Sequence, residues 1–285
     1  MPLVERAAGL LGLDASDAVE LAGSASGAGV YRVRFEGGDA VLKVTDAGEG
    51  QLDARRELAF YQSLANKVPV ITPTLLRYAD GAEHTALLLS AHSPPVPAAE
   101  WDREAWLEIA RQLAELHSMA VPSGDPWIQG RPDAPSMGLA EAYWSATEAA
   151  GCLLEPDALA EAVRAMPDSF IHGDCHVGNL LRDGDRIVWA DWQVAKVGSP
   201  AGDLALLWSR GGVDGADLPY DAMLREYATR RGLELAPLRR AVIAAELALL
   251  LFAWPHFAAY RTESDRTHLT HRLLDLTASW QASDR

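Results

Sequence analysis

The sequence predicts an α+β protein whose N-terminal part is mainly β and whose larger C-terminal part is mainly α. Runs rich in β-branched and aromatic residues, separated by glycine turns, occur before residue 93. From residue 102 onward, apolar residues recur at helical spacing instead. The proline-rich stretch 93–97 separates the two patterns, and proline fits neither a strand centre nor a helix interior. We therefore predict two domains, residues 1–92 and 93–285.

The N-terminal domain is predicted to run strand, strand, helix, strand, strand behind a short opening helix. Gly37-Gly38 and Asp80-Gly81 mark the turns of two hairpins. The segment between the hairpins is rich in Ala, Leu, Glu and Arg and has no internal Gly or Pro, which is typical of a helix. The opening helix is indicated by apolar residues at 3, 4, 7, 10 and 11, and the other predicted bounds are strands 30–35 and 40–44, helix 52–64, and strands 75–78 and 85–89.

The C-terminal domain is predicted to be mostly helical. Apolar residues at 106, 109, 113 and 116 fall on one face of a helix that begins near residue 102. Further helices are expected at 159–166 before Pro167, at 204–208 ending at Gly211-Gly212, at 237–252, and around 269–280.

The charge balance is strongly acidic. The 285 residues include 40 Asp and Glu against 25 Lys and Arg, a formal net charge of −15. Such a field repels nucleic acid and anionic membranes and attracts cations. We therefore expect no nucleic-acid partner, no membrane partner and, if the substrate is charged, a small cationic substrate. Solubility alone also explains an acidic balance.

Cysteine content and hydropathy favour a cytoplasmic location. Cys152 and Cys175 are too few for a disulfide framework and lack metal-ligand spacing. The N-terminus shows no basic start followed by a long apolar run, as a signal peptide would. The most apolar segment, 241–254, contains Glu246 and is too short for a bilayer, so a buried helix is expected. No feature of the sequence indicates an oligomeric state.

The stretch 170–193 carries the residues with the clearest chemistry. Apolar Phe170 and Ile171 lead into a loop with Asp174 and Asn179, and a predicted hairpin then ends at Asp191. We expect the two carboxylates and the amide to lie on this one hairpin. Mg2+ prefers oxygen ligands and is held by one or two carboxylates plus phosphate oxygens. Two of the three groups suit such a cation, and the remaining carboxylate is free to face a hydroxyl.

These residues resemble the catalytic core of the aminoglycoside phosphotransferase and choline kinase family, relatives of protein kinases. Protein kinases carry His-Arg-Asp-x4-Asn followed by a metal-holding Asp-Phe-Gly. This chain has His172-Gly173-Asp174, then Asn179, then Asp191-Trp192-Gln193. The resemblance implies a two-lobed protein-kinase-like fold with a small nucleotide-binding N-lobe. It implies that Asp174 accepts or orients the acceptor proton and that Asn179 and Asp191 bind Mg2+.

Lys43 is a second candidate functional residue, because it interrupts the apolar strand 40–44. A half-buried ammonium requires an anionic partner, and Glu57 in the following helix is suitably spaced. The resemblance implies the lysine–glutamate pair of kinases, with Lys43 directed at the nucleotide phosphates. The alternative is a lysine whose amine reaches the sheet edge.

Other nucleotide contacts rest on weaker patterns. The glycine-rich segment 23–29 lacks the third glycine of the protein kinase loop, and no Walker A pattern occurs in the chain. By the resemblance, Ser26 and Gly27 contact phosphate oxygens, while Ser90 and His92 bind adenine through their main chains. The cofactors implied are ATP, with GTP as the alternative donor, and Mg2+.

Two residues are expected to brace the catalytic loop. Asp203 looks like the family's structural aspartate, which caps a helix and holds the loop. His172 is expected to fix the loop by packing and hydrogen bonding rather than to take part in transfer.

The resemblance implies an O-phosphotransferase that acts on a small cationic antibiotic, either an aminoglycoside or a cyclic peptide of the viomycin and capreomycin type. Asp157, Glu161, Glu246 and Asp265 are candidate acids facing such a ligand. Two alternatives stay open: a metabolite kinase acting on choline, a fructosamine or an amino alcohol, and a nucleotide-binding pseudokinase.

Overall fold

The computed structural model describes residues 3–21, 28–128 and 136–282. The chain forms two compact units: Met1–Pro95 with Asn179–Ala195, and Val96–Gly178 with Lys196–Arg285. The first unit therefore includes a segment that lies far beyond residue 92 in the sequence. The predicted domain bounds, 1–92 and 93–285, stay a prediction.

The secondary structure confirms the predicted α+β class. The first elements are α1 (Leu3–Leu11), β1 (Val19–Glu20), β2 (Gly29–Phe35), β3 (Gly38–Asp46), α2 (Glu49–Ser63), β4 (Leu75–Asp80) and β5 (His84–Ser90). They are followed by α3 (Arg103–Leu116), α4 (Met137–Trp144), α5 (Pro156–Arg164), β6 (Ser169–Ile171), β7 (Leu180–Asp183), β8 (Arg186–Trp189), β9 (Lys196–Gly198), α6 (Ala201–Val213), α7 (Tyr220–Arg231), α8 (Leu235–Ala248) and α9 (Glu263–Ala282). Short 3-10 turns occur at Ala98–Glu100, Val177–Asn179, Trp254–His256 and Ala258–Tyr260, and a π-helical turn at Leu249–Ala253.

The first unit is built on an antiparallel sheet of order β1-β2-β3-β5-β4. Successive strand residues point to opposite faces. Leu42 and Val44 of β3 pack with Ala7 and Leu11 of α1, which covers one face. Lys43 therefore points to the other face, where α2 contacts β3 and β5. The alternation of β3 thus places a charged side chain beneath α2.

The β7–β8 hairpin belongs to the first unit because its backbone bonds to that unit. The N–H of Trp189 donates to the carbonyl of Ile71 at 2.8 Å, and that of Ser93 to Arg182 at 3.2 Å. Asp183 pairs with Arg186, so Gly184 and Asp185 form the turn between its two strands.

The second unit is mainly helical. Trp144 of α4, Leu247 of α8 and Leu273 of α9 lie in one buried apolar cluster. The ladder of β6 and β9 adds a short antiparallel pair, with Ile171 opposite Lys196. β6 delivers the chain directly to His172.

Some predicted bounds were wrong or incomplete. The helix expected to end at Gly211-Gly212 continues to Val213 as α6. Helices α4 and α7 and strand β1 were not predicted, although the buried residues of α7, Met223, Leu224, Tyr227 and Ala228, do follow helical spacing. The apolar segment 241–254 is a buried helix, as predicted. Among the described residues, no helix combines the length and apolar character needed to cross a bilayer.

Candidate active site

Lys43 lies at the centre of a buried charge cluster in the first unit. Its Nζ is 2.6 Å from Glu57 Oε2 and 2.9 Å from Asp191 Oδ1. Burial by itself would lower the pKa of Lys43, but attraction to Glu57 and Asp191 outweighs it, so this pKa lies above the ordinary lysine value. Lys43 is therefore a fixed ammonium held by two carboxylates, rather than a lysine reaching the sheet edge.

Asn179 and Asp191 lie at the same end of the β7–β8 hairpin. Leu180 pairs with Trp189, and the N–H of Ala190 donates to the carbonyl of Asn179 at 2.9 Å, which extends the ladder by one step. Asp191 follows with φ +66°, an uncommon backbone conformation for a non-glycine residue. The hairpin thus brings Asn179 and Asp191 to the same end, although both strands of the hairpin lie between them in the sequence.

This pair of side chains fits Mg2+. Both offer hard oxygen atoms, and one carboxylate with one amide suits a cation that takes its other ligands from phosphate and water. The Asp191 side chain keeps 26% of its surface exposed while one of its oxygens bonds to Lys43. In the ranges described above, no three His, Cys, Asp or Glu residues cluster as a ready-made metal site.

Asp174 lies in the second unit and not on the hairpin, so the expectation of all three groups on one hairpin is wrong. It follows β6 by way of Gly173, whose φ of +83° turns the chain. Its N–H donates to His172 Nδ1 at 3.3 Å, and its Oδ2 lies 3.5 Å from His176 Nε2. The Asp174 side chain is 34% exposed, so solvent or a ligand can reach it.

Asp203 holds the loop that carries Asp174. Its carboxylate accepts the backbone N–H groups of His172 and Gly173, both at 2.8 Å. Burial by itself would raise the pKa of Asp203, but hydrogen bonding and attraction from His117, with the loop N–H, lower it below the ordinary range. Asp203 lies within the first turn of α6 and Pro200 is the N-cap, so the expected helix-capping role is wrong.

Of the other predicted nucleotide contacts, the structure describes Ser90 and His92 only. Ser26 and Gly27 lie outside the described residues. The N–H of Ser90 donates to the carbonyl of Thr74 at 2.9 Å, so it is engaged within the first unit. Ser90 Oγ lies 3.0 Å from His92 Nε2. Burial chiefly lowers the pKa of His92. Contacts of Ser90 and His92 with adenine stay a prediction.

Comparison with known proteins identifies the family. The model of the phosphotransferase enzyme family matches residues 17–240. The chain belongs to this family. The predicted relationship to aminoglycoside phosphotransferases and choline kinases, and the predicted class of phosphotransferase with an alcohol group as acceptor, are thereby confirmed. No curated protein sequence matches the chain.

Solved structures of phosphotransferases share the fold. A microcompartment-associated aminopropanol kinase superposes with TM-score 0.63 at 16% identity, covering 94% of this chain and 93% of that one. Choline kinase from Cryptosporidium parvum gives TM-score 0.62 at 13% identity, covering 94% and 90%. An aminoglycoside phosphotransferase from Streptomyces rimosus, in complex with ADP and streptomycin, gives 0.53 at 19% identity, covering 93% and 94%. These similarities confirm the kinase-like fold.

Sequence reasoning missed two residues, His117 and Tyr227, that support Asp203 and through it the loop that carries Asp174. His117, at the end of α3, places Nε2 3.1 Å from Asp203 Oδ2 and Nδ1 2.9 Å from the hydroxyl of Tyr227. A histidine directly after the apolar face of α3 was the available signal, but its partners lie in α6 and α7. Only the tertiary structure pairs them.

Proposed function

We propose that this phosphotransferase transfers the γ-phosphoryl group of ATP, with Mg2+, to a hydroxyl of a small cationic antibiotic, an aminoglycoside or a cationic cyclic peptide, and so confers resistance in the cytoplasm. The observation that carries the proposal is the buried contact of Lys43 with Glu57 and Asp191. It holds a cation beside a carboxylate suited to Mg2+, as phosphoryl transfer requires.

Each residue has a distinct role in this proposal. Lys43, held by Glu57, contacts the nucleotide phosphates. Asn179 and Asp191 hold Mg2+, which supplies charge neutralisation at the phosphates when bound. Asp174 accepts or orients the proton of the acceptor hydroxyl. Ser26 and Gly27 add contacts to phosphate, and Ser90 and His92 add contacts to the base. ADP in the related Streptomyces rimosus enzyme supports ATP as donor, with GTP as the alternative.

The acidic composition supports a cationic acceptor. A net charge of −15 raises the local concentration of cations near the protein surface. Glu246 no longer belongs among the candidate ligand-facing acids, because it is buried against Arg272, with contacts of 2.7 and 2.8 Å.

A second candidate acceptor is a small metabolite such as an amino alcohol, because the solved structures that share the fold include a microcompartment-associated aminopropanol kinase.

A phosphotransfer panel tests the proposal. Purified protein is incubated with Mg2+ and ATP together with aminoglycosides, viomycin-type peptides, choline or 1-amino-2-propanol, and products are identified by mass spectrometry and 31P NMR. We expect a phosphorylated antibiotic and loss of transfer in Lys43→Met, with Lys67→Met, an exposed lysine, as the matched control. Activity on choline or the amino alcohol alone would show that the acceptor is a metabolite and not an antibiotic. Nucleotide binding without transfer to any acceptor would indicate a pseudokinase.

A further inference from the structure

Helix α2 is linked to three consecutive residues, to Asp191 through Lys43 and to Trp192 and Gln193 directly. Through Lys43, Glu57 is linked to Asp191. The ring of Phe60 stacks on that of Trp192 with centroids 4.0 Å apart and planes 8° apart. Both aromatic side chains are fully buried. The segment after β8 is therefore bound to α2 along its length and not only at the ion pair.

Arg56 supplies the third contact. Its Nη1 donates to the carbonyl of Gln193 at 2.7 Å and to Asp53 Oδ1 at 2.7 Å. The Arg56 side chain is only 13% exposed, so the contact to the carbonyl is sheltered from water. Charged donors make stronger hydrogen bonds than neutral ones. A side chain of α2 is thus fixed to the backbone two residues beyond Asp191.

The spacing along α2 explains why these contacts converge. Residues 53, 56, 57 and 60 follow the three- and four-residue steps that place side chains on one helix face. Asp191 has φ +66°, a conformation that persists only where the surroundings impose it. Trp192 adds a bond from its Nε1 to the carbonyl of Trp189 at 2.8 Å. The residues on both sides of Asp191 are therefore held in place.

We propose that Arg56 and Phe60 are positioning residues that set the Mg2+ affinity of Asp191, acting through Gln193 and Trp192. This inference rests on the proposed function, since it requires that Asp191 holds Mg2+. The Lys43 contact fixes one carboxylate oxygen of Asp191. The contacts of α2 with Trp192 and Gln193 fix the backbone next to Asp191, and so the orientation of its other carboxylate oxygen.

The chain offers a matched control on the same helix. Arg55 also bonds a carboxylate and a backbone carbonyl, those of Asp80 and Gly81, at 3.0 and 2.9 Å. Arg55→Met and Arg56→Met therefore remove the same kinds of bond from neighbouring positions of α2, but only the second releases the Asp191 segment. Trp192→Leu removes the ring stack, and Trp192→Phe retains an aromatic ring for Phe60.

The first measurement is ATP binding by calorimetry at a series of Mg2+ concentrations. We expect Arg56→Met and Trp192→Leu to raise the half-saturating Mg2+ concentration about tenfold. Affinity for ATP in EDTA should change little in either variant. Arg55→Met should stay within about twofold of the wild type. Trp192→Phe keeps a ring for Phe60 but loses the Nε1 bond to Trp189, so it should fall between the wild type and Trp192→Leu.

The second measurement uses the protein without metal or nucleotide. Hydrogen–deuterium exchange of amides 190–194 should be faster in Arg56→Met than in Arg55→Met, because a released segment opens more often. Circular dichroism establishes that each variant is folded, and Arg56→Lys serves as a milder second variant if Arg56→Met does not fold.

The outcomes separate the inference from the proposed function. If Mg2+ promotes ATP binding in the wild type but Arg56→Met matches Arg55→Met in Mg2+ requirement and exchange, the positioning role is overturned and the proposed function stands. If ATP binding by the wild type is independent of Mg2+, the proposed function fails and the inference fails with it.

Discussion

Asp174 combines a fixed backbone with an accessible carboxylate. The backbone N–H before it donates to Asp203, and its own N–H donates to His172, while the side chain is 34% exposed. General bases contribute about 10²–10⁴-fold to rate. We expect Asp174→Asn to lower the rate of phosphoryl transfer by about that factor and to leave ATP affinity near the wild-type value, as measured by a coupled ADP-release assay and calorimetry. Asp168→Asn, an exposed acid ahead of β6, is the control, and unchanged turnover in Asp174→Asn would remove Asp174 from its role.

Asp203 predicts how stability depends on pH. Its pKa is lower in the folded chain than the ordinary value of about 3.9, so the folded state binds its proton less readily than the unfolded state. Its stabilising contribution is therefore present above that ordinary value and is lost as pH falls through the lowered one. We expect Asp203→Asn to lower the free energy of unfolding by about 3 kcal/mol near pH 7. In urea denaturation, the gap between wild type and variant should narrow below about pH 4, and a gap independent of pH would contradict the assignment.

Helix α6 shows what glycine does at two positions of one element. A Cβ at Gly202 would meet no atom within 4 Å, whereas a Cβ at Gly211 would lie 3.1 Å from buried Leu218. Glycine in a helix interior costs about 1 kcal/mol relative to alanine. Gly202 is the second residue of α6, where only part of that cost applies, so we expect Gly202→Ala to raise the free energy of unfolding by about 0.5 kcal/mol. Gly211→Ala should lose most of this gain or destabilise, and equal effects in chemical denaturation would show that Leu218 moves aside freely.

Some elements could be predicted from the sequence, and the end of α6 could not. The apolar run of strand 40–44 and the apolar face of α3 were visible in the sequence, because burial requires apolar residues at regular positions. The predicted end of α6 at Gly211-Gly212 fell just short of Val213, because glycine usually ends helices. Only the close approach of Leu218 in the tertiary structure shows why a small residue is needed at Gly211.

In the candidate site, too, some residues could be predicted from the sequence and others could not. The loop pattern and the family resemblance predicted Lys43, Asp174, Asn179 and Asp191 as site residues. The roles of Arg56 and His117 could not be predicted, because their partners, Gln193 and Asp203, lie far away in the sequence.

At the scale of the whole molecule, the first unit is not contiguous in sequence, since Asn179–Ala195 groups with Met1–Pro95. This segment supplies Asp191 to Lys43, Trp192 to Phe60, and the N–H of Trp189 to the carbonyl of Ile71. Without it, Phe60 loses a stacked partner, and Lys43 keeps only Glu57. Losing a buried aromatic group typically costs about 3–5 kcal/mol, a large fraction of the stability of a small domain.

A fragment of residues 1–95 should therefore fold poorly by itself. We expect it to bind the dye ANS and to unfold without a cooperative transition in circular dichroism. Joining residues 179–195 to it through a flexible Gly/Ser linker should restore a cooperative transition. The linked fragment with Trp192→Leu is the control, because it keeps the added length and lacks the stack on Phe60. If fragment 1–95 melts as cooperatively as the linked form, then β7 and β8 are not required for this unit to fold. The structure around Lys43 would then not depend on residues 179–195.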